Sequence, residues 1–481
     1  MSDINRFNLV DEPWIPIIGS SPVSLEQLFT ERGLDLGGNP IQKIALLKLL
    51  LAIAQAAYTP EDDENWHALG VNGMAERCLA YLGQWRHKFW LYGSEPFLQM
   101  PAIEHDKKVS FGVVMPEIGP KNNSVLFQSQ SEQNLNDAQK AILIITLMGF
   151  GMANGKKNNE PERSPGTWMG KFGYLHNFLV GEDLLETIWF NLLTISSIDN
   201  RNGVGFPPWE NMPKNMDCPI ATTLKNSLIG RLVPLSRFCL LLNDGLYYSE
   251  GIVHPTPDQG GRDPSLAIDY LTSKVMLVDS SKRPWRQLSS MLGFLSTGHK
   301  SMWSCFQLSQ GLTRARKTSP TIRIWSGGLK ATTSGFKDQK VSGTDDFVQS
   351  MIELRSSWLG EIWYLQLQAQ MDKLEKLSEE LGKSVRKYFK EQNAKGGKQA
   401  KRALSLYWQF CEKEFRALLE ACNETGSGAL DALWRRYIEH ARASFDSLCP
   451  KDTVRQLDAW TKHRSSISKF MNKKTKKKHG N

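Results

Sequence analysis

No paired-cysteine motif occurs anywhere in this 481-residue sequence: its seven cysteines, at positions 78, 218, 239, 305, 411, 422 and 449, contain no CxxC. That argues against a zinc site and a disulfide framework, and an odd set of unpaired thiols suits a reducing compartment. No GxxxxGK[ST], HExxH or GxSxG occurs, so the P-loop, zincin and hydrolase-elbow chemistries are excluded. His105-Asp106 repeats the dipeptide of HD-type metal phosphohydrolases, but the nine histidines are dispersed and no further ligands are suitably placed. The most apolar stretches, 44–57 and 141–153, are too short or too interrupted by lysine to span a bilayer. Asp3 and Asn5 stand where a secretory signal would place its apolar core. These absences predict a soluble, cytoplasmic, non-enzymatic chain with no catalytic residues, no metal, no cofactor and no membrane partner.

What is present is ordinary globular material carrying an excess of positive charge. Hydrophobic residues make up 41% and charged residues 23%, and the length calls for two or three domains. Fifteen tryptophans and twenty-one phenylalanines supply core burial, although such rings also stack on nucleobases. The net charge of +9 and pI near 9.0 permit an anionic partner. Eight basic residues lie between 383 and 402, namely Lys383, Arg386, Lys387, Lys390, Lys395, Lys398, Lys401 and Arg402, against the single acid Glu391. Five more lysines (473, 474, 476, 477 and 478) occupy the last nine positions. Such runs are solvated faces in most proteins; two in one helical region also suit phosphate contact.

The order of elements predicts an α+β fold: a large mixed N-terminal domain over 1–342 and a C-terminal four-helix bundle over 343–481. Segment 7–17 brackets Trp14-Ile15 with Pro13 and Pro16, which predicts a stiff extended strand that plants Trp14 in a core. Positions 41–58 are apolar on nearly all sides and predict a buried helix. Thr59-Pro60 followed by four acids reads as an N-cap, a first-turn proline and acids for the helix dipole. A further helix is expected over 138–152, and strands over 238–242, 274–278 and 321–325. In the C-terminal part, Thr344 should cap a helix with the stripe Phe347, Met351, Leu354, Trp358, Ile362, Leu365 and Ala369. Stripes over 404–422, 430–448 and 457–470 complete the bundle, with Gly396-Gly397 joining two helices.

Two loops have the composition of nucleic-acid contacts. Asn154-Gly155-Lys156-Lys157-Asn158-Asn159 joins a glycine, which permits close backbone approach, to lysines for phosphate and amides for base edges. Segment 327–335 has glycines at both ends, Lys330, and Thr332, Thr333 and Ser334 read as its tip. Either loop alone reads first as an ordinary surface turn.

Beyond these residues, Phe7-Asn8-Leu9-Val10-Asp11-Glu12-Pro13-Trp14-Ile15-Pro16-Ile17 resembles the opening of the CasA family, the large subunit of type I-E CRISPR Cascade complexes. Ser24-Leu25-Glu26-Gln27-Leu28-Phe29, Tyr58-Thr59-Pro60 and Glu95-Pro96-Phe97-Leu98-Gln99 resemble segments that follow in the same order. The likeness is strong over roughly the first hundred residues and architectural thereafter. It implies a subunit that reads the protospacer-adjacent motif (PAM) in double-stranded DNA, starts strand separation for guide-RNA pairing, and recruits a helicase-nuclease. Its implied partners are the DNA target, the guide-RNA ribonucleoprotein of other Cascade subunits, and that nuclease. The family's loop phenylalanine would fall on Phe127, its glycine loop on Asn154, Gly155, Lys156, Lys157 and Asn158, and its wedge on Lys330, Thr332, Thr333, Ser334 and Gly335. The hydroxyl tip departs from the amide-bearing tip of relatives, and the groove-reading lysine has only Lys274 and Arg262 as candidates. The minor groove distinguishes mainly A·T from G·C, so such a reader should accept several motifs. The rival readings are an architectural RNA- or protein-binding subunit and a nuclease with an unrecognised site.

Overall fold

The computed structural model describes residues 5–103, 108–116, 134–151, 173–296, 303–334, 338–340, 346–423 and 428–468. The chain divides into two compact units, Met1–Phe294 with Lys300–Ser356 and Leu295–His299 with Ser357–Asn481.

The first unit is built round helix α1 (Pro40–Ala57), which begins with a capping box between Asn39 and Gln42 and a proline at the first turn. With the first turn included, α1 is long and apolar enough to cross a membrane, contrary to the expectation from 44–57 alone, but it is buried along most of its length within the unit. It packs against α2 (Asp63–Trp85) and α3 (Asp137–Phe150), whose own start carries the Asn136/Gln139 capping box. The α2 start corrects the expectation: Asp62, not Thr59, is its N-cap. The Thr59 hydroxyl turns back to the Gln55 carbonyl at 2.7 Å, and the Pro60 and Glu61 carbonyls accept from Ile195 and Ser196. Those three residues are held by other partners before the helix begins. Trp14 is buried as expected, its indole donating to the Leu9 carbonyl at 2.8 Å. Its extended neighbours form isolated bridges, Ile15 with Val23 and Ile17 with Leu36.

Under α1 lies an antiparallel three-stranded sheet. After β1 (His176–Val180) come α4 (Leu184–Asn191) and an antiparallel pair, β2 (Arg237–Leu241) with β3 (Leu246–Glu250). The chain then forms α5 (Phe306–Ala315), β4 (Thr321–Leu329), a short hairpin of β5 (Thr332–Ser334) and β6 (Asp338–Lys340), and β7 (Phe347–Arg355). The sheet order is β7-β4-β1, with Trp325 in register with both Met351 and Phe178.

β7 overturns the helix expected to begin at Thr344. Phe347, Met351 and Leu354 satisfy a helical spacing, but Val348, Ile352 and Leu354 are the buried side chains and Gln349, Met351 and Glu353 are not. That is a strand's period of two, and nine paired positions along β4 outweigh the weak local signal. The first unit therefore runs to Ser356, not to 342.

The second unit holds the expected bundle, formed from α6 (Glu361–Glu391), α7 (Gly397–Lys413), α8 (Phe415–Ala421), α9 (Ala429–Leu448) and α10 (Val454–Ser468). The helix expected over 404–422 is broken at Glu414, which closes α7 and opens α8. α6 packs on α7, α9 and α10. Its buried face is Trp363, Tyr364, Leu367, Met371 and Leu374, so the anticipated Ile362 stands 74% exposed. Tryptophans tie the helices: the indole of Trp363 donates to the Leu419 carbonyl (3.0 Å) and that of Trp434 to Gln370 (2.7 Å).

A sealed polar chain joins α1 to the sheet. The Lys48 ammonium donates to Asp263, and both side chains are fully buried. Asp263 also accepts from the Ser265 amide (3.1 Å) and hydroxyl (2.7 Å), and that hydroxyl lies 2.8 Å from His176 Nδ1. Burial alone would raise the Asp263 carboxyl, but Lys48, His176 and Ser265 hold it down at about 2. Because the folded value lies below the unfolded value of about 3.9, this carboxylate stabilises the fold above that pH. The contribution drains away as pH falls toward 2. Asp263→Asn should destabilise the protein by about 3–5 kcal/mol at pH 7, since it strands a buried ammonium. Urea unfolding at pH 7 and at pH 3 checks both statements, with the gap between wild type and variant expected to narrow in acid.

Candidate nucleic-acid interface

Residues far apart in sequence meet where the sheet ends. β4 carries Gly327 and Gly328 close to its end, and neither has room for a side chain. A Cβ at Gly327 would lie 2.5 Å from the Trp325 ring, and one at Gly328 would lie 2.7 Å from the Tyr174 carbonyl oxygen. These glycines are therefore tightly packed strand residues that bring backbones together. Immediately beyond them, the β5–β6 hairpin springs from Leu329–Ala331. Gly173, the first described residue after segment 152–172, has a φ of +60°, and a Cβ there would lie 2.8 Å from the Ala331 amide nitrogen. Only glycine combines that left-handed backbone with so close an approach. The Val278 amide donates to the Gly173 carbonyl at 2.7 Å and completes the junction. The chain thus returns from segment 152–172 directly beside the root of the hydroxyl-bearing hairpin.

Lys330 stands at this root, its amide donating to the Asp346 carbonyl (2.9 Å) and its ammonium to the Ser280 hydroxyl (3.0 Å). Nearby Asp279, which burial would raise, is held below the usual carboxylate range by Ser281 and by the charges of Lys330 and Arg286. Thr332, Thr333 and Ser334 correct the expectation of a loop tip, because they form β5 and pair with Lys340, Gln339 and Asp338. Two β-branched residues in a row favour an extended strand over a turn. Gly335, Phe127, Asn154, Gly155, Lys156, Lys157 and Asn158 lie outside the described residues, as do His105, Asp106 and the lysines beyond 472. The two candidate groove-reading cations are both placed: Arg262 lies 3.6 Å from Asp199, and Lys274 sits in register with Asp269.

The bundle offers a second cationic surface. Lys383, Arg386, Lys387 and Lys390 recur at steps of three and four along the last turns of α6 and are all exposed. Across the turn at Gly396, the exposed Lys398, Lys401 and Arg402 repeat the pattern on α7, and Lys395 lies between. Gly396 is required there, since a Cβ would meet Phe389 at 2.8 Å and Arg386 Cα at 3.1 Å. Of these eight cations, Lys383 alone is paired with a carboxylate among the described residues, with Glu379 at 3.6 Å. Glu391, the one acid of the run, is already engaged: Lys462 and His463 from α10 each bond it at 2.8 Å. Those bonds, Lys462 first, draw its carboxyl below the usual range. Lys462 and His463 carry no signal in the sequence, because their role arises only when α10 folds back on α6.

Among the described residues, no group of three or more His, Cys, Asp or Glu side chains is arranged to hold a metal.

Both the sequence and the fold have known relatives. The sequence pattern of the family described as CRISPR-associated protein Cse1 matches residues 8–444. A curated relative, CRISPR-associated protein CasA/Cse1 of Thermus thermophilus, is 28% identical over 325 residues, which are 61% of this chain and 61% of that protein. The chain thus spans about three-fifths of the length of that relative in the matched region. Among solved structures, CasA of Thermus thermophilus superposes with a TM-score of 0.76 at 18% identity, covering 97% of this chain and 100% of the other. Thermobifida fusca Cse1 gives 0.70 at 18% identity, covering 97% and 98%. These structural likenesses show a shared fold, and the match across 8–444 shows descent: the chain belongs to the CRISPR-associated Cse1 (CasA) family.

Proposed function

We propose that this chain is the non-catalytic large subunit of a type I-E Cascade complex, which recognises the PAM in double-stranded DNA and starts strand separation. On this reading it assembles with a guide-RNA ribonucleoprotein and helps recruit the effector nuclease. The observation that carries the proposal is the contact of Gly173 with the hairpin root at Ala331. A reader of duplex DNA needs one element to sense the groove and another to hold the opened step, delivered to the same few base pairs. The return of the chain at Gly173, after the segment that holds the glycine-lysine loop, beside the hairpin root supports that reading. Sequence identity is then checked by guide–target pairing, and the protein supplies motif recognition and backbone charge.

The loop and the hairpin have separable tasks. Gly155→Asp places a side chain and a negative charge where backbone should approach the groove. It should weaken motif-dependent binding by about 1–3 kcal/mol, the scale of one mismatched base pair. Replacing Thr332, Thr333 and Ser334 together by glycine should leave initial duplex contact nearly intact and slow strand opening, because an unstacked step costs a few kcal/mol to hold open. Competition between duplexes with and without the motif reads the first effect, and 2-aminopurine fluorescence beside the motif reads the second. Normal motif preference in the Gly155→Asp complex would refute the loop assignment, and unchanged opening in the triple variant would refute the wedge.

The bundle's cations do not distinguish sequences, since phosphate contacts carry no base information. Neutralising Lys387, Lys390, Lys398 and Lys401 to glutamine should weaken matched and mismatched duplexes about equally. It should also flatten the dependence of log K on log salt by roughly 0.7–0.9 for each phosphate that is no longer neutralised. A salt titration of wild type beside the quadruple variant decides the matter, and an unchanged slope means that this face does not touch DNA.

A further inference from the structure

The end of α3 is held by a buried arginine that neither the hairpin root nor the bundle uses. Helix C-termini leave their last carbonyls without intrahelical partners. Ser236 and Arg237, at the start of β2, supply donors here: the Ser236 amide donates to the Met148 carbonyl (2.9 Å), and Arg237 Nε donates to the Gly151 carbonyl (3.2 Å). Gly151 closes α3 with an extended backbone, φ −61° and ψ 116°. The left-handed cap common at helix ends is therefore absent, and the arginine stands in for it.

Burying a guanidinium in this way is costly unless other groups offset it. Arg237 is fully buried, and among the described residues the bond to Gly151 is its one hydrogen bond, Nη1 and Nη2 making none. Glu250 stands opposite in register on β3 and tempers the charge without an ion pair between the two. Its direct partners are the negative end of the α3 dipole and the Tyr248 ring, whose centre lies 5.5 Å from the guanidinium carbon. Leu235, just before, is a buried non-glycine residue at φ +44°. Such a conformation persists only where surrounding contacts impose it, and it gathers at functional sites. From the other side, a Cβ at Gly151 would lie 2.5 Å from Arg237 Cγ and 2.7 Å from the Tyr248 hydroxyl oxygen. A strained residue on one side and a missing side chain on the other converge on the same bond.

We infer that Arg237 is a positioning residue for motif reading: by fixing Gly151 it sets where the chain enters the glycine-lysine loop. Gly155 follows Gly151 by four residues, a tether of at most roughly 14 Å. Being buried, Arg237 acts through the loop and not on the duplex. The inference rests on the reading of that loop as the motif sensor, and the experiment separates the two.

Complexes assembled with wild type, Arg237→Met, Arg237→Lys, Gly151→Ala and Gly155→Asp are titrated with duplexes that carry the motif or lack it. Arg237→Met removes the donor, and Gly151→Ala disturbs the same contact without touching the charge, since its backbone angles suit alanine. Each should lower the ratio of motif to motif-free affinity by about fivefold or more, while affinity for the motif-free duplex stays within about twofold. Arg237→Lys, which keeps a donor, should retain a higher ratio than Arg237→Met. A merely structural loss would reduce the amount of active complex and leave the ratio unmoved. An unchanged ratio in Arg237→Met and Gly151→Ala, with Gly155→Asp defective, would overturn the inference and leave the loop reading standing. Should Arg237→Met fail to assemble, Gly151→Ala decides by the same ratio. Normal preference in Gly155→Asp would sink the loop reading and the inference with it.

Discussion

The buried pair of Lys48 and Asp263 is the constraint on which the first unit's geometry depends. From α1 the connection passes through Asp263 to Ser265, whose hydroxyl meets His176 and whose carbonyl accepts from the Asn177 amide at 2.9 Å. Asn177 in turn accepts from the Ser326 hydroxyl at 2.7 Å, which brings the chain of bonds onto β4 one residue before Gly327. Each of these groups is buried, so each depends on its neighbours to remain satisfied. The arrangement fixes how β1 and β4 lie against the central helix. Gly173 precedes β1 and Ala331 follows β4, so the close approach of Gly173 to the hairpin root is set by the same bonds. His176, Ser265 and Asp263 superficially suggest a catalytic triad. Ser265 instead donates to Asp263 and is sealed from solvent, which is a structural role.

The bundle follows a different electrostatic logic. Its interior is aromatic and aliphatic, pinned by indole and phenol donors, while its positive charge is kept together at one end. Like charges so close repel one another, and among the described residues only Lys383 meets a carboxylate, since the one internal acid is taken up by α10. An uncompensated cationic surface of this kind is costly to maintain without an anionic partner and raises the on-rate for one that is present.

How much of this was legible in the sequence depends on whether the governing contact is local. α1 announced itself through a stretch apolar on nearly all sides, and β4 through alternation that ended at a glycine pair. The bundle's long helices and the Gly396 turn were readable for the same reason. Segment 347–355 was not, because its spacing fits a helix and only nine pairings with β4 make it a strand. Thr59-Pro60 has every local mark of a helix start, yet the Ile195 amide takes the Pro60 carbonyl and the Thr59 hydroxyl turns back to Gln55. Leu457 was expected inside α10's buried stripe but is 48% exposed, since α10 turns Ala459 and His463 inward; Ile467 is buried as the stripe requires. At the candidate interface, composition pointed to both loops, and the close approach of Gly173 to Ala331 had no trace in either segment. The engagement of Glu391 by residues 71 and 72 positions away was equally invisible.

The central claim is the proposal that the glycine-lysine loop and the hairpin act as one device, which the return of the chain at Gly173 beside the hairpin root supports. A double-mutant cycle measures this most directly, combining Gly155→Asp with the Thr332/Thr333/Ser334 glycine triple and reading motif-dependent duplex affinity in the assembled complex. Residues in one coupled unit show interaction energies of about 0.5–3 kcal/mol, whereas distant independent sites add within about 0.3–0.5 kcal/mol. A single device predicts a coupling energy in the first range for duplexes bearing the motif and none for duplexes without it. Strict additivity on both duplexes would contradict it.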